Sequence, residues 1–546
     1  MIGPVQPAPN STVPSHRAGT AKRHLALWAA FAIAFAIAHT QAPLYFSNQH
    51  QYFLHGHAQA GVGELERDWL ANTADPTPVF SAFVEFTHRY LNEFVYQVVF
   101  FLLIAAYFLC LIGIGALLVP ESPKRPKTLC ILAVLLIVVH SGIVRYTSVR
   151  LFGVDYPWFF QAGVAGQYVL GPGLQPSAFG VLLLASVVVF AYHRPALAIV
   201  LGSAACWLHP TYLLAAALFT SVYLVLLRRT NGNRSALLHG VLALSLVAPI
   251  VIFSLVTFNP TSAEQFRDAQ RIIAEFRIPH HARIARWFDL IAALQIAWIV
   301  LAIVLVHGTR LFGLLLIPSV LSFALSLLQL ATDDPTLALL FPWRISVLLG
   351  PIATVIIVVR LATFISWNVA TQVTLIMLVG VTVTGGIVIM AARLAYLTDD
   401  RELLALEYVR DHKQPGDVYL IPVRVPSNAP GTRGVFSASF TPAPKGQQKS
   451  FISVDLQRFR LYAGAAIYVD FKSIPYKDTD VLKWRRRLDR CQEWYAIKDW
   501  SGPALRQQLL DEGITHVVMP ANRPPLGSGF EQEYADDYYR VYRIAR

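Results

Sequence analysis

Apolar residues gather in runs of about 20 along the first 395 positions, broken by short polar or proline-containing stretches. Helical runs of that length match the thickness of a bilayer's hydrocarbon core. The pattern predicts eleven spans, at 25–42, 95–119, 127–145, 176–192, 195–208, 210–227, 236–257, 287–306, 309–330, 345–365 and 371–394. The fifth and sixth flank His209-Pro210; proline removes a backbone donor there, so two short helices and one kinked helix both fit the hydropathy. The apolar stretch 26–38 also reads as a signal-peptide core, but the long segment before it and the return to a further span favour a retained anchor.

From about residue 398 charges and turn residues come back. Strands are predicted at 418–423, 467–471, 515–519 and 538–544, and helices at 399–412, 479–495 and 503–512. Residues 398–546 thus read as a small α/β domain, and no glycine-rich phosphate loop opens any of its helices. Residues 1–23, rich in Pro, Ser and Thr, read as a disordered cytoplasmic tail ahead of a membrane domain at 24–397.

Charge gives the predicted spans a direction. The chain is 55% hydrophobic, 14% charged and carries a net charge of +12. With the N-terminus inside, the short basic breaks fall on the cytoplasmic side: Lys22 and Arg23; Lys124, Arg125 and Lys127; Arg194; Arg228, Arg229 and Arg234; Arg310; and Arg360. This accounts for the excess of positive charge without nucleic acid, and no basic patch interleaved with stacking aromatics is present. Merging the fifth and sixth spans would put Arg228 and Arg229 outside, so the charges favour two helices. The long segments 41–94, 146–175, 258–286, 331–344 and 395–546 then share the outer side. Within the first of them, 61–70 and 78–92 have helical apolar spacing, suited either to the membrane interface or to packing on neighbouring spans. Cys110, Cys130 and Cys206 fall within spans and Cys491 stands alone in the C-terminal domain, so there is no disulfide framework.

Candidate chemistry collects in these outer segments. Glu64, Glu66 and Asp68 lie in the first, where a carboxylate could act as general base or hold a divalent metal. On a helix Glu64 and Asp68 would share a face. The second segment holds Arg145, Arg150 and Asp155 beside Tyr156 and Trp158, types that clamp a phosphate and stack on a sugar, although charges at span ends also serve as anchors. His209 stands at a helix break, as a packing residue or as a cavity wall. His280, His281 and Arg283 form an outer basic cluster suited to an anionic lipid headgroup. Trp343-Arg344 carries a guanidinium into the start of a span, where it calls for an anionic partner unless it snorkels.

With these acids and aromatics placed, the plan resembles the GT-C type of polytopic membrane glycosyltransferase over most of 24–395. It is also similar, in His209-Pro210, Gln175-Pro176-Ser177 and Pro342-Trp343-Arg344, to uncharacterised bacterial polytopic proteins related to that class. The resemblance implies an all-α membrane bundle with an extracytoplasmic α/β domain, in a bacterial inner membrane. It implies transfer of a sugar from a polyprenyl-phosphate carrier to a glycan, lipid or protein acceptor at the outer face. Asp68 would match the catalytic first-loop acid, with Glu64 and Glu66 as competitors; Asp155 would match the acid of the second outer loop; Arg283 and Arg344 would meet the carrier phosphate. A divalent metal, Mg or Mn, would be compatible with this chemistry. The adjacent acidic pair common in that first loop is absent here. A transporter or flippase for lipid-linked sugars and a non-catalytic envelope assembly protein are the competing readings; no convincing internal repeat supports transport.

Overall fold

The computed structural model describes residues 16–396, 400–423, 425 and 458–545, with side chains from residue 23 onward. Residues 1–15 of the predicted tail lie outside them, while 16–23 form the first turns of the helix His16–His39, where the sequence reading expects a disordered tail. About 70% of the structure is helical, with several long apolar helices and one small C-terminal sheet. Helices occupy each of the eleven predicted ranges, but their lengths differ. Among the described residues, five helices are long and apolar enough to cross a membrane: Phe94–Leu118, Pro210–Thr257, Arg310–Thr332, Pro335–Phe364 and Val369–Ala391. A sixth follows if Arg125–His140 and Gly142–Phe152, bent by 47° at Ser141, make one span. Arg23–His39, Pro176–Ala191, Pro195–Leu208 and Leu290–Leu305 are apolar but shorter. At 1.5 Å per residue, a 14-residue helix reaches about 21 Å, short of the roughly 30 Å hydrocarbon core.

The break at His209-Pro210 is real. His209 is extended (φ −151°, ψ 98°) and Pro210–Tyr212 forms a single 3₁₀ turn between Pro195–Leu208 and the helix from Leu213. That next helix is itself interrupted at Gly232 (φ 84°, ψ 173°), which separates the ranges predicted as spans six and seven. Ser346–Phe364 is the central helix, buried along nearly its whole length and packed on Phe94–Leu118, Arg125–His140 and Leu290–Leu305. The absence of a polar face on it fits that position.

In the C-terminal domain, five strands pair in the order β2-β1-β3-β5-β4. They are β1 (Val418–Leu420), β2 (Ala466–Ile467), β3 (His516–Pro520), β4 (Phe530–Ala535) and β5 (Tyr539–Ile544). β1 runs parallel to β2 and β3, and the β3-β5 and β5-β4 pairs are antiparallel. Asp478–Ala496 and Pro503–Asp511 cover the sheet through a core of Trp484, Leu488, Cys491, Leu509 and Val517. β4 has no counterpart in the predicted elements: Phe530-Glu531-Gln532-Glu533-Tyr534-Ala535 is an edge strand, exposed along most of its length, and lacks the apolar alternation that marks a half-buried one.

The first outer segment departs most from expectation. Residues 61–70 do not form a helix; Leu65–Arg67 is one 3₁₀ turn. Gly61 and Gly63 take left-handed backbone (φ 78° and 54°), and a Cβ on Gly63 would collide with the Gly464 carbonyl. The close approach lets Glu64 N donate to Gly464 O (2.8 Å), so the loop seats on the C-terminal domain instead of coiling. The second predicted helix does form, as Pro78–Tyr90.

A candidate anion-binding cleft

Two kinds of buried charge lie where the outer segments meet. The first kind is balanced. Asp68 is fully buried, and its carboxylate is occupied on both sides: Oδ1 accepts from Leu70 N (2.9 Å), and Oδ2 from Arg460 Nε (2.7 Å) and Ile467 N (3.0 Å). Arg460 turns its Nη1 to Asp470, whose other oxygen accepts from Ser473 N (2.6 Å). Burial alone would lower the Arg460 pKa, but the two flanking carboxylates raise it; burial pushes Asp470 up. Asp155, also fully buried, takes Arg145 Nε and Nη2 on one oxygen (2.9 and 2.8 Å) and caps Trp158 N with the other (3.3 Å). The Arg145 guanidinium lies 4.4 Å above the Trp158 ring.

These geometries correct the sequence reading of the acids. Asp68 and Asp155 are closed ion pairs that hold chain segments together, with no lone pair facing a substrate. Arg145 is spent on Asp155. Glu64 faces Arg67 (3.3 Å) at the surface and Glu66 is exposed; with no helix at 61–70, Glu64 and Asp68 do not share a face. Arg150 is exposed. Arg283 is matched by Glu275 and Asp333, each at 3.1 Å. Trp343 is buried, and its Nε1 donates to the His281 carbonyl (3.1 Å), fixing that turn.

The second kind of charge is unbalanced. Neither Arg344 nor the contacting pair Arg277 and Lys472 has a carboxylate within ion-pair distance among the described residues; Arg277 and Lys472 sense Asp470, which is committed to Arg460 and Ser473. Arg344 follows the αL residue Phe341 (φ 50°), in the 3₁₀ turn that opens the central helix. Its Nη2 donates to His209 Nε2 (3.3 Å), and it hydrogen-bonds the Tyr212 hydroxyl. Arg277 ends a π-helical turn, Ile272–Arg277, a distortion that often marks functional positions. Its Nη2 donates to Lys472 O (2.5 Å). Lys472 comes from the C-terminal domain; burial, then Arg277, lower its pKa to about 7.

Neutral polar groups fill the space between. Tyr52, whose pKa burial raises, senses both Arg344 and Arg277 and hydrogen-bonds Tyr476, which also accepts from Gln51 Nε2 (2.6 Å). Tyr168 is bonded to Gln175 and senses Arg344 and Tyr52. The positive charges of Arg344, Lys472 and Arg277 all act to lower the His281 pKa. His281 Nδ1 must donate, because its partner is the Ala165 carbonyl (2.7 Å). Its Nε2 is therefore a lone-pair acceptor, with no hydrogen-bond partner among the described residues. The His280 ring lies beside that of His281, tilted by 51°, with centroids 4.1 Å apart. Burial lowers His280 to about 2 and His281 to about 4, so both are neutral. Tyr52, Tyr168, His280, His281, Arg344, Lys472 and Tyr476 are each only partly covered, as expected of the walls of a cleft.

Several donors are left over. His209, 3% exposed, accepts from Arg344 at Nε2 and so carries its proton on Nδ1, which is buried without a partner. The Nε groups of Arg344 and Arg277 are in the same position. Orphaned buried donors are rare in folded proteins. Among the described residues no three His, Cys, Asp or Glu side chains converge as a metal-ligating set.

Of the residues singled out in the sequence, His209, His280, His281 and Arg344 meet here. Arg277, which heads the basic run Arg277-Ile278-Pro279-His280-His281 read from the sequence, lies with them, and Lys472, Tyr52, Tyr168 and Tyr476 join without having been selected. Lys472 and Tyr476 sit in a domain of ordinary soluble composition and had no signal.

Comparison with known proteins bears on that domain alone. No curated protein matches the chain in sequence. Residues 447–491 match a family model described as a domain of unknown function (DUF6798), a stretch whose described part supplies Arg460, Asp470, Lys472 and Tyr476 to the two charged clusters.

Proposed function

We propose that the protein is an integral membrane glycosyltransferase of the GT-C type. In this reading it moves a sugar from a polyprenyl-phosphate carrier to an acceptor at the outer face of a bacterial inner membrane. Eleven membrane segments, a cytoplasmic N-terminus and an extracytoplasmic C-terminal domain complete the arrangement. The observation that carries it is that Arg344, on His209, and Arg277, on the Lys472 carbonyl, lie in the outer segments with no paired carboxylate among the described residues. A phosphate ester that swings in from the bilayer would meet them where apolar helices give way to polar loops. All the segments predicted to face outward contribute to this one region, which supports their sharing a side.

The chemistry that fits is an inverting displacement. The acceptor hydroxyl attacks the anomeric carbon, the bond from that carbon to the carrier's phosphate oxygen breaks, and the phosphate leaves with the electron pair. The cations stabilise charge growing on that oxygen. The hydroxyl proton passes to an acceptor on the cleft wall. His281 Nε2, with an open lone pair, suits this better than Asp68 or Asp155. A bound anionic phosphate would raise the imidazole pKa from its low value toward the working range.

The test is transfer of radiolabelled sugar from polyprenyl-phosphate donors by purified full-length protein, wild type beside Arg344→Ala and Asp68→Asn. Label in a lipid or glycan acceptor, abolished in Arg344→Ala, supports the proposal. No label with any donor, alongside donor translocation in proteoliposomes, replaces it with a flippase.

A further inference from the structure

Arg344 and His209 lie deeper than the helix that runs past them. Two helices that begin side by side set the scale. Arg310 Nη1 is 3.2 Å from His193 Nδ1, so Arg310–Thr332 and Pro195–Leu208 start at one level. Pro195–Leu208 has 14 residues and stops at His209, whereas Arg310–Thr332 has 23. The nine extra residues carry the longer helix about 14 Å further, to the end where Asp333 meets Arg283 (3.1 Å). A separate contact gives the same depth for Arg344. Ser322 Oγ donates to the Pro342 carbonyl, two residues before Arg344, and ten residues of the longer helix, about 15 Å, lie beyond Ser322.

That remaining stretch is apolar and uncovered: Phe323, Leu327, Leu328 and Leu330 are each exposed by 48% or more. Arg344 itself falls inside Pro335–Phe364, one of the helices long and apolar enough to cross a membrane. Its guanidinium therefore sits beside lipid-facing helix, below the rim where an arginine can snorkel.

The contacts around Arg344 do not neutralise it. Nη2 donates to His209 Nε2 (3.3 Å), and the guanidinium lies 5.5 and 5.9 Å from the ring centres of Tyr212 and Phe341. Arg344 Nε and His209 Nδ1 are buried donors without a partner, the second on a side chain only 3% exposed. Against His209 the Tyr52 ring packs at 5.8 Å. Tyr52 and Gln51 face Tyr476 of the C-terminal domain across a gap of about 10 Å³, room for one water and too small for a phosphate.

We infer that Arg344 and His209 form a phosphate site inside the leaflet next to the C-terminal domain, filled by a phosphate carried on a lipid and closed to the free ion. A lipid brings its phosphate in sideways while its chains stay in hydrocarbon. A free phosphate would have to shed its water to reach the same depth. This rests on the proposed function and sharpens it, since the carrier's phosphate is then met within the leaflet and not above it.

The experiment is a ³¹P NMR titration of full-length protein in phosphatidylcholine nanodiscs, once with undecaprenyl monophosphate in the bilayer and once with inorganic phosphate in the buffer. Wild type is compared with Arg344→Gln, and folding is checked by thermal melting. Arg344→Gln should weaken the lipid phosphate by about tenfold or more and leave inorganic phosphate, bound or not, within about twofold of wild type. If inorganic phosphate weakens by the same factor as the lipid, the site opens to water and the inference is wrong, while Arg344 keeps its role in the proposed function. If the lipid phosphate does not bind wild type, or binds both proteins alike, the inference and that role fall together. If Arg344→Gln does not fold, His209→Leu and His209→Gln take its place. Leucine should weaken the lipid phosphate alone, and glutamine, whose amide oxygen can accept from Arg344, should restore it. A leucine variant that binds the lipid phosphate as wild type does overturns the inference.

Discussion

Asp68–Arg460–Asp470 and Arg277–Lys472–Arg344 are neighbouring groups of charge built on opposite plans. In the first, every carboxylate oxygen is matched by a guanidinium or a backbone N–H, and the cluster joins the first outer segment to the C-terminal domain. In the second, positive groups point at one another's surroundings with nothing to neutralise them. Burying unpaired charge costs folding energy. Its retention beside a cluster whose carboxylate oxygens are all matched, although Arg460 Nη2 is left without a partner, suggests that the balanced group carries the architecture and the unbalanced one awaits something negative. Under the proposed function the distinction reverses the roles that residue type alone suggests, with the acids holding the architecture and the cations meeting the substrate.

The sharpest way to break this comparison is to remove the hub of the balanced cluster. Arg460→Met leaves Asp68 and Asp470 buried together without a counter-charge. The expected loss is about 3–5 kcal/mol, the usual result of deleting one partner of a buried ionic group. It should appear as a large drop in melting temperature and in recovery of folded protein from detergent. An unchanged melting temperature would mean that this network does not hold the domains together.

Arg344→Ala tests the other cluster and should do the reverse. Transfer activity falls by about a hundred- to a thousandfold, as when a donor to a developing oxyanion is removed. Melting temperature stays level or rises, since an unpaired guanidinium has left a partly buried site. Activity and stability lost together, in proportion, would make Arg344 a structural residue.

Asp68→Asn separates the two plans within one position that the sequence marks as catalytic. Asparagine can still accept from Leu70 N or Ile467 N but gives up the ionic bond to Arg460. Stability is expected to fall by about 1–3 kcal/mol. Turnover per folded molecule should stay within about threefold of wild type. A loss of a hundredfold or more with the fold intact would restore Asp68 as a catalytic acid.

What the sequence makes legible follows the range over which each signal acts. Each predicted apolar range is helical in the structure, though short helices such as Gln49–Tyr52 and Ala263–Arg271 lie outside those ranges, and the chain break at His209-Pro210 follows from proline chemistry. His209, His280, His281 and Arg344 stand out because polar side chains at the ends of apolar helices need a reason to be there. Asp68 is misread because its partner, Arg460, lies 392 residues further on, and no local pattern announces that pairing. The same blindness hides Lys472: lysine is unremarkable in a charged domain until folding sets it beside Arg277. Length is the remaining gap, since hydropathy marks Pro195–Leu208 as apolar without saying that it is short for a span.

A gentler test of the unbalanced cluster uses pH. Burial and Arg277 hold Lys472 near 7, with Asp470 opposing them and His50, His280 and His281 facing the same space as neutral rings. A bound anion favours the protonated amine, so its pKa rises in the complex. Affinity is therefore full below pH 7 and falls as pH rises past it, by about tenfold between pH 6 and 8 if the bound amine stays charged. Lys472→Arg, charged throughout, should remove that slope in parallel titrations; a slope that persists would belong to the anion or to another group.

The smallest expected effect comes from the seam between the two clusters. Tyr476 accepts from Gln51 Nε2 (2.6 Å) and bonds Tyr52, tying the C-terminal domain to the first outer segment on the floor of the cleft. Tyr476→Phe deletes that hydroxyl while keeping the ring, at a cost of about 1 kcal/mol in stability. Anion affinity should weaken no more than severalfold, since every cation keeps its place. The two readouts discriminate because they depend on different things: stability on the lost hydrogen bonds, affinity on how far Lys472 drifts once the seam is loosened. If phosphate affinity falls much further, Tyr476 fixes where Lys472 sits. If it stays constant, the Asp68–Arg460–Asp470 network holds that position alone, and the balanced cluster sets the geometry of the unbalanced one.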